Sequence, residues 1–372
     1  MIEKIIFENY KPFARGQEME IKPITLLIGK NSSGKSSLTH LVCLMQGLID
    51  AQKTARYKHF LGELVNIYTF HNMATSGLRM GLVNDVGKEL AFSFVRNGGK
   101  LFLYKLSVGG KTQQYIEETT LEVADSYEIV KKQVCNWGYD LNDWAFTVNY
   151  IGPIRNNTET LYRWKNSNPI NVGYNGEFAM ELLADSYRSD KQLFNRVSNW
   201  MRDNMENQSV EIESVPGLDD YYFFGTKNLT NNTFIPLEEV GEGFSQVLPI
   251  IVQSYMDDKA DISIMEQPAL HLHPAAHSKV ADRLISSAIS SQKRYIIETH
   301  SENILLAVRR AVCNPDCPLT SNDVVIYFVD KTEEEAILKK IEVLENGDLT
   351  MWPTGVFGES YELMKEIIRF RK

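Results

Sequence analysis

The chain has 372 residues, 43% hydrophobic and 23% charged, with 39 basic and 48 acidic side chains and a net charge of −9. That composition suits about two folded domains and excludes collagenous, fibrous and disordered chains. The acidic balance lends no support to a general nucleic-acid coat, and the four cysteines make no disulfide framework.

No apolar run approaches the roughly 20 residues that a membrane-spanning helix needs. The first thirteen residues lack the charged-then-apolar layout of a secretory signal, so a cytoplasmic location without a membrane partner is expected. Residues 3–7 and 18–28 read as strands. Residues 24–28 form a continuous apolar run between Pro23 and Gly29, the pattern of a buried central strand. From Lys35 onward, Leu38, Leu41, Val42, Met45 and Leu48 recur at three- and four-residue spacing. This predicts an amphipathic helix of about three turns. Residues 78–122 hold short runs punctuated by Gly-Gly pairs at 98–99 and 109–110, which read as an antiparallel meander. A strand over 143–151 runs into the sequence YIGPIR at 150–155. Residues 175–206 read as mostly helical, and 209–237 as strands and loops with Asn-rich turns at 228–232. Further helices are predicted at 244–256, 274–290 and 301–312, with strands at 262–266, 294–298 and 323–329. A closing strand at 341–344 and a final helix complete the pattern.

The strongest chemical signal lies between the buried strand and its helix. Gly29, Lys30, Asn31, Ser32, Ser33, Gly34, Lys35 and Ser36, followed by Ser37, fit G-x-x-x-x-G-K-[ST] at every fixed position. Two glycines let the backbone wrap phosphate oxygens, and the helix N-terminus favours an anion. Lys35 is expected to reach the β- and γ-phosphates and the Ser36 hydroxyl to bind Mg²⁺. The bland reading is a glycine-rich helix cap.

Such a loop needs an acid at a strand end, and Glu266 closes the strand at 262–266. His300 ends a second short strand 34 residues later, a spacing that allows one helix and one strand between them. Gly241, Gly243, Ser245 and Gln246 open another glycine-rich helix. They read either as a cap for the γ-phosphate held by a different subunit or as an ordinary helix start.

Taken together, GKNSSGKSS, YIGPIR, VGEGFSQ, MEQPALHLHP and ETHS resemble the ABC-type ATPases of the SMC/RecF/OLD group. OLD is the overcoming-lysogenization-defect family of bacterial ATPases. The resemblance implies an α/β fold: a P-loop NTPase, ABC-type ATPase head with an antiparallel β subdomain and a helical insertion. Its lobes are expected at 1–155, with the Walker A loop and antiparallel sheet, and at 237–372, around a mainly helical insertion at 156–236. By resemblance, residues 29–37 are the Walker A loop and Glu266 is the Walker B acid, sharing Mg²⁺ with Ser36. Residues 241–246 are the signature motif acting in trans, 271–274 lie at the D-loop, and His300 is the switch histidine. Two heads are then expected to sandwich two ATP molecules.

The pattern is broken at two positions. Gln267 stands where a water-orienting glutamate is usual, and Ala269 where relatives with Glu-Gln-Pro continue with glutamate. Glutamine can hydrogen-bond a water but cannot take its proton at neutral pH, and alanine can do neither. Either Ala269 is an engineered change that traps the ATP-bound state, or hydrolysis is naturally slow and binding is the signal. Glu298, near His300, is a candidate for a substitute acid. His271, His273, His277 and His300 invite a zinc reading, but a structural zinc needs four ligands and no cysteine lies near them in sequence; Cys313 and Cys317 could form half a metal site, with no second Cys or His pair at matching spacing nearby. Ser245 lacks the turn of a hydrolase nucleophile. Arg155 reads equally as a phosphate or subunit contact and as a structural ion pair.

The expected function is an ATP-dependent switch or scaffold, a homodimer or higher homo-oligomer. It would control a separately encoded effector of nuclease or toxin type, in the setting that the resemblance implies, bacterial anti-phage defence. Only about 70 residues follow His300, too few for the nuclease domain that OLD-like relatives often carry. The alternative is a RecF- or SMC-like repair or chromosome-maintenance ATPase with nucleic acid as partner.

Overall fold

The first strand, β1 (Ile2–Glu8), alternates: Ile2, Ile5 and Phe7 are buried while Glu3 faces solvent. It pairs antiparallel with β2 (Gln17–Glu20) on one side and β4 (Leu78–Asn84) on the other. The computed structural model describes residues 1–50, 77–97, 100–115, 121–122, 127–156, 159–228, 232–256, 260–352 and 356–370. It divides into two units. The first comprises Met1–Val148, Asn322–Val343 and Leu349–Lys372, and the second Asn149–Ser321 with Leu344–Asp348.

In the first unit, all six residues of β3 (Ile24–Gly29) are buried, as the continuous apolar run requires. Helix α1 (Lys35–Ile49) follows, and Leu38, Leu41, Val42, Met45 and Leu48 are all at most 5% exposed. The meander is observed as β4, β5 (Glu89–Asn97), β6 (Lys100–Val108) and β7 (Lys111–Gln114), with the short β8 (Leu121–Glu122) also on β6. Val108 pairs with Lys111 across the glycine turn at 109–110, whereas the glycines at 98–99 lie outside the described residues. Helix α2 (Tyr127–Asn136) is next. The strand expected from 143 begins only at 148. Residues 141–144 instead form a 3₁₀ turn, because the Asp140 carboxylate accepts the Asn142 N–H and starts it. That turn seats the fully buried Trp144, whose indole N–H donates to the Lys88 carbonyl at 3.0 Å.

The second unit carries β9 (Val148–Ile151), β14 (Ile262–Glu266) and β15 (Arg294–Glu298), ordered β15-β14-β9. β14 and β15 are parallel, with Glu266 level with Glu298. The insertion differs from the mainly helical expectation. Beside α3 (Ala179–Arg188) and α4 (Gln192–Asn204), it holds an antiparallel sheet of β10 (Leu161–Arg163), β12 (Leu218–Asn228) and β11 (Gln208–Val215), with β13 (Phe234–Pro236) on β12. The helices give the clearer sequence signal, since Phe194, Val197, Trp200 and Met201 make a full apolar stripe. The strands alternate only in part. Buried Glu181 on α3 ties the stretch after β10 to the helix, accepting the Tyr162 hydroxyl and the N–H groups of Lys165 and Ser167. The lobe boundaries expected at 155 and 236 are not where the units divide.

Three helices complete this unit. α5 (Glu242–Tyr255) contains Pro249 and α6 (Pro274–Ser291) has proline at its start. α7 (Glu302–Cys313) is capped by Ser301, whose hydroxyl accepts the Ile304 N–H at 3.2 Å. The chain then returns to the first unit. β16 (Val324–Lys331) runs parallel to β3, from Val324 opposite Ile24 to Val329 opposite Gly29, and antiparallel to β17 (Ala336–Ile341). The closing strand thus lies earlier than the expected 341–344, since Val343 and Leu349 meet only as an isolated bridge. α8 (Glu359–Phe370) follows. No helix among the described residues is long and apolar enough to cross a membrane.

Candidate functional site

The loop at 29–37 sits in the first unit, between the end of β3 and the start of α1. Gly29 has φ +153°, and a Cβ there would stand 2.7 Å from the Val329 carbonyl oxygen and 2.9 Å from Ser33 Oγ. Gly34 has φ +112° and caps α1, and its Cβ would meet Pro12 Cγ at 2.7 Å. Both positions therefore demand glycine for conformation and for space. Gly29→Ala is expected to destabilise the chain by about 1–3 kcal/mol and to distort the loop. A urea midpoint equal to that of the parent would show that the strand end tolerates a side chain.

Lys35 is 3% exposed and folds back over the loop, its Nζ donating to the carbonyls of Gly29 at 3.1 Å and Lys30 at 2.8 Å. Lys331, at the end of β16, donates to the Ser32 carbonyl at 3.2 Å. Residues 30–33 and 328–331 line a shallow pocket of about 220 Å³. Buried Ser33 Oγ has no hydrogen-bond partner. A cradle that a Cβ would fill, a buried lysine over it, a second lysine at its rim and an orphaned hydroxyl all fit a phosphate group. Lys331 escaped sequence reasoning because 299 residues separate it from Ser32. Ser36 and Ser37 are partly exposed on the first turn of α1, where Ser36 could hold Mg²⁺.

The acidic half of the set lies in the second unit. Glu266 is 3% exposed at the C-terminal end of β14, and the Tyr150 hydroxyl donates to its Oε1 at 2.8 Å. Arg155 is equally buried. Its Nη2 donates to the carbonyls of Glu266 at 2.7 Å and Gln267 at 3.2 Å, and its Nη1 to the carbonyl of Gln246 at 3.2 Å. Burial pushes the guanidinium down to about 10, opposed by the neighbouring Glu266 charge. The arginine is thus a buried clamp on backbone oxygens. Tyr150 and Arg155 are the two ends of YIGPIR, the segment whose role its sequence left open.

Gln267 has φ +47°, a left-handed backbone at which β14 turns away. Its N–H donates to the Glu298 carbonyl at 2.8 Å, and its side-chain oxygen accepts the His300 N–H at 3.4 Å. Gln267, Glu298 and His300 are thus brought together, with the imidazole of His300 exposed. With its oxygen so engaged, Gln267 has its amide NH₂ left to offer a water. Ala269 is buried, inside a turn closed by Leu270 N–H on Gln267 O and Leu272 N–H on Ala269 O.

The signature residues start α5. Gly241 is its N-cap, and a Cβ on Gly243 would lie 2.6 Å from the His271 carbonyl oxygen. Glycine therefore lets the first turn of α5 rest on the 271–274 segment. Ser245 and Gln246 are 7% and 8% exposed. Gln246 is used inside its own unit, accepting the Arg155 N–H at 3.3 Å and donating to the Arg155 carbonyl at 3.3 Å. Among the described residues, no group of three or more His, Cys, Asp or Glu is placed to hold a metal ion. The histidines have local roles instead. His273 Nδ1 accepts the Ala275 N–H and caps α6, and His277 Nε2 donates to the Leu272 carbonyl, so its Nδ1 accepts from Ser301.

Known proteins supply the class. The family model described as AAA ATPase domain matches residues 1–71 and 157–305. That is more than half of the chain, which therefore belongs to this ATPase family. A second model, described as a protein of unknown function (DUF3696), matches residues 319–367. No curated protein matches the chain. Among solved structures, a Smc head bound to the C-winged helix domain of ScpA is 12% identical at a TM-score of 0.54, covering 92% of this chain and 98% of that one. An SMC head domain from Thermotoga maritima is 8% identical at 0.47, covering 92% and 99%. A Smc head with an extended coiled coil, bound to the C-terminal domain of ScpA derived from Pyrococcus furiosus, is 10% identical at 0.49, covering 99% of each. The first of these likenesses makes the fold that of an ABC-type, SMC-like ATPase head.

Proposed function

We propose that the protein binds ATP with Mg²⁺ and acts as a dimeric switch whose closed, nucleotide-bound state is the signal. The geometry of the 29–37 loop carries this reading: a cradle that only glycine fits, covered by a buried lysine. Lys35 would exchange its two loop carbonyls for β- and γ-phosphate oxygens. Ser36 and Glu266 would hold the metal, with Tyr150 orienting the Glu266 carboxylate. Bound Mg²⁺ would supply positive charge at the phosphate oxygens. Gln267 would orient a water, with His300 beside it, but it cannot take a proton from that water. Turnover is then slow, and the bound state persists.

The starting turn of α5, at Gly241 and Gly243, would face the nucleotide of a second copy. Gln246, whose amide is engaged by the Arg155 backbone, leaves this trans role to the backbone of the turn. A separate effector, nuclease- or toxin-like, and a setting in anti-phage defence rest on the resemblance to OLD-like ATPases. The Smc head captured with a domain of ScpA is a parallel for an ATPase head that binds a separate protein. Sedimentation velocity with and without ATP and Mg²⁺ tests the switch. The parent chain should double its mass with ATP and Mg²⁺, and Lys35→Ala should not. A mass that ignores saturating nucleotide would sink the reading.

A further inference from the structure

Three backbone oxygens from two separate elements converge on one guanidinium. Gln246 O belongs to the first turns of α5, and Glu266 O and Gln267 O belong to the end of β14 and the turn beyond it. The link is doubled, because the Gln246 side chain grips the Arg155 backbone in both directions. The guanidinium is not fully satisfied: buried Arg155 Nε has no hydrogen-bond partner. A buried charge held on carbonyl oxygens has no equally good alternative geometry, since moving any one oxygen leaves a donor unpaired in a place that water does not reach. The planar fork also fixes the directions of its donors, which an ammonium would not. The far side of Glu266 is held as well, by Tyr150 from the same YIGPIR segment. One short segment therefore sets both the main chain and the carboxylate of Glu266, and it is bolted to α5.

We propose that Arg155 is a positioning residue that locks the first turns of α5 to the Glu266–Gln267 turn, so that a displacement of α5 is transmitted to the acid and to the water-orienting glutamine. The catalytic consequence rests on the ATPase reading above, while the mechanical link stands on the contacts alone. Engagement of a partner at the α5 start would then alter hydrolysis within the same chain through Arg155.

The test uses the full chain with Arg155→Lys, Gln246→Ala and the double variant, and Lys35→Ala as the control for nucleotide binding. Amide hydrogen exchange without nucleotide reads the link. Arg155→Lys should speed exchange about tenfold or more in peptides covering both 242–250 and 266–272, with β10–β13 unchanged. Gln246→Ala should speed exchange in 266–272, although it removes no direct contact with that turn. Single-turnover ATP hydrolysis reads the consequence: Arg155→Lys should lower the rate about tenfold while ATP affinity stays within about threefold, and the double variant should be no slower than Arg155→Lys alone. A purely structural arginine would loosen the whole second unit together and give effects that multiply, and either result overturns the proposal. Exchange at 266–272 that ignores Gln246→Ala also overturns it, even in a chain that does not hydrolyse ATP. Unaltered ATP binding in Lys35→Ala would instead indict the ATPase reading and leave the exchange result to decide the link.

Discussion

Lys35→Ala is expected to weaken ATP binding by about 100-fold or more, the loss of one or two charge-assisted hydrogen bonds worth about 1.5–3 kcal/mol each. The folded chain shows why the effect falls on binding more than on stability. Without nucleotide, the Lys35 ammonium rests on two loop carbonyls, that of Gly29 in a buried contact and that of Lys30 in a half-buried one beside exposed Lys30 and Asn31. Water can replace the ammonium at the Lys30 carbonyl. It cannot replace a cation between two phosphate oxygens at the N-terminus of α1, where the helix dipole and the loop N–H groups already favour an anion. Thermal unfolding with and without ATP and Mg²⁺ separates the two effects. For the parent, ligand at about 100 times its dissociation constant should add about 2.7 kcal/mol of stability, and for Lys35→Ala almost none. Lys35→Arg should recover part of the shift, because it keeps the charge in a larger shape. An equal ATP-induced shift in Lys35→Ala would mean that nucleotide binds elsewhere.

The phosphate loop of the first unit and the acidic set of the second differ in how they are written in the chain. The phosphate loop is local: strand, glycines, lysine and helix follow each other within residues 24–49. Leu38, Leu41, Val42, Met45 and Leu48 are buried as their spacing predicts, although residues 41–49 are buried all round, so α1 is a core helix and not an amphipathic one. The acidic set is assembled from afar. Tyr150 and Glu266 are 116 residues apart, and Arg155 and Gln246 are 91 apart. No periodicity reports such pairs, since each depends on where β9, β14 and α5 finally stand. Gln246 shows the limit best. Its motif implies a contact across a dimer, yet its amide is spent on Arg155 inside its own unit. The insertion holds more sheet than a mainly helical one. Its β11, β12 and β13 lie where residues 209–237 read as strands and loops, whereas β10 has only three residues and holds its place by pairing with β12.

Ala269→Glu should raise ATP turnover about a hundredfold, the usual scale of a positioned general base. The resemblance to Glu-Gln-Pro-Glu relatives motivates the substitution, and the local structure sets its cost. Ala269 is 6% exposed in the turn from Gln267 to Leu272, so a carboxylate there loses much of its hydration. Desolvation raises its pKa and brings it closer to that of a base able to take a proton from water near neutral pH. The same desolvation should destabilise the chain by about 1–3 kcal/mol, so turnover and melting temperature should move in opposite directions. Ala269→Gln supplies the control. It has nearly the same shape and a similar burial cost, but no proton acceptor. If glutamate accelerates hydrolysis and glutamine does not, position 269 is where the base belongs, and the parent chain is held in its ATP-bound state by that absence. If both variants match the parent in turnover and merely melt earlier, position 269 is a packing position. The water must then be oriented by the Gln267 amide, tethered to His300, or by Glu298 beside it. In the first case slow hydrolysis follows from the β14 turn itself, because the Gln267 amide can donate a hydrogen bond but cannot receive a proton.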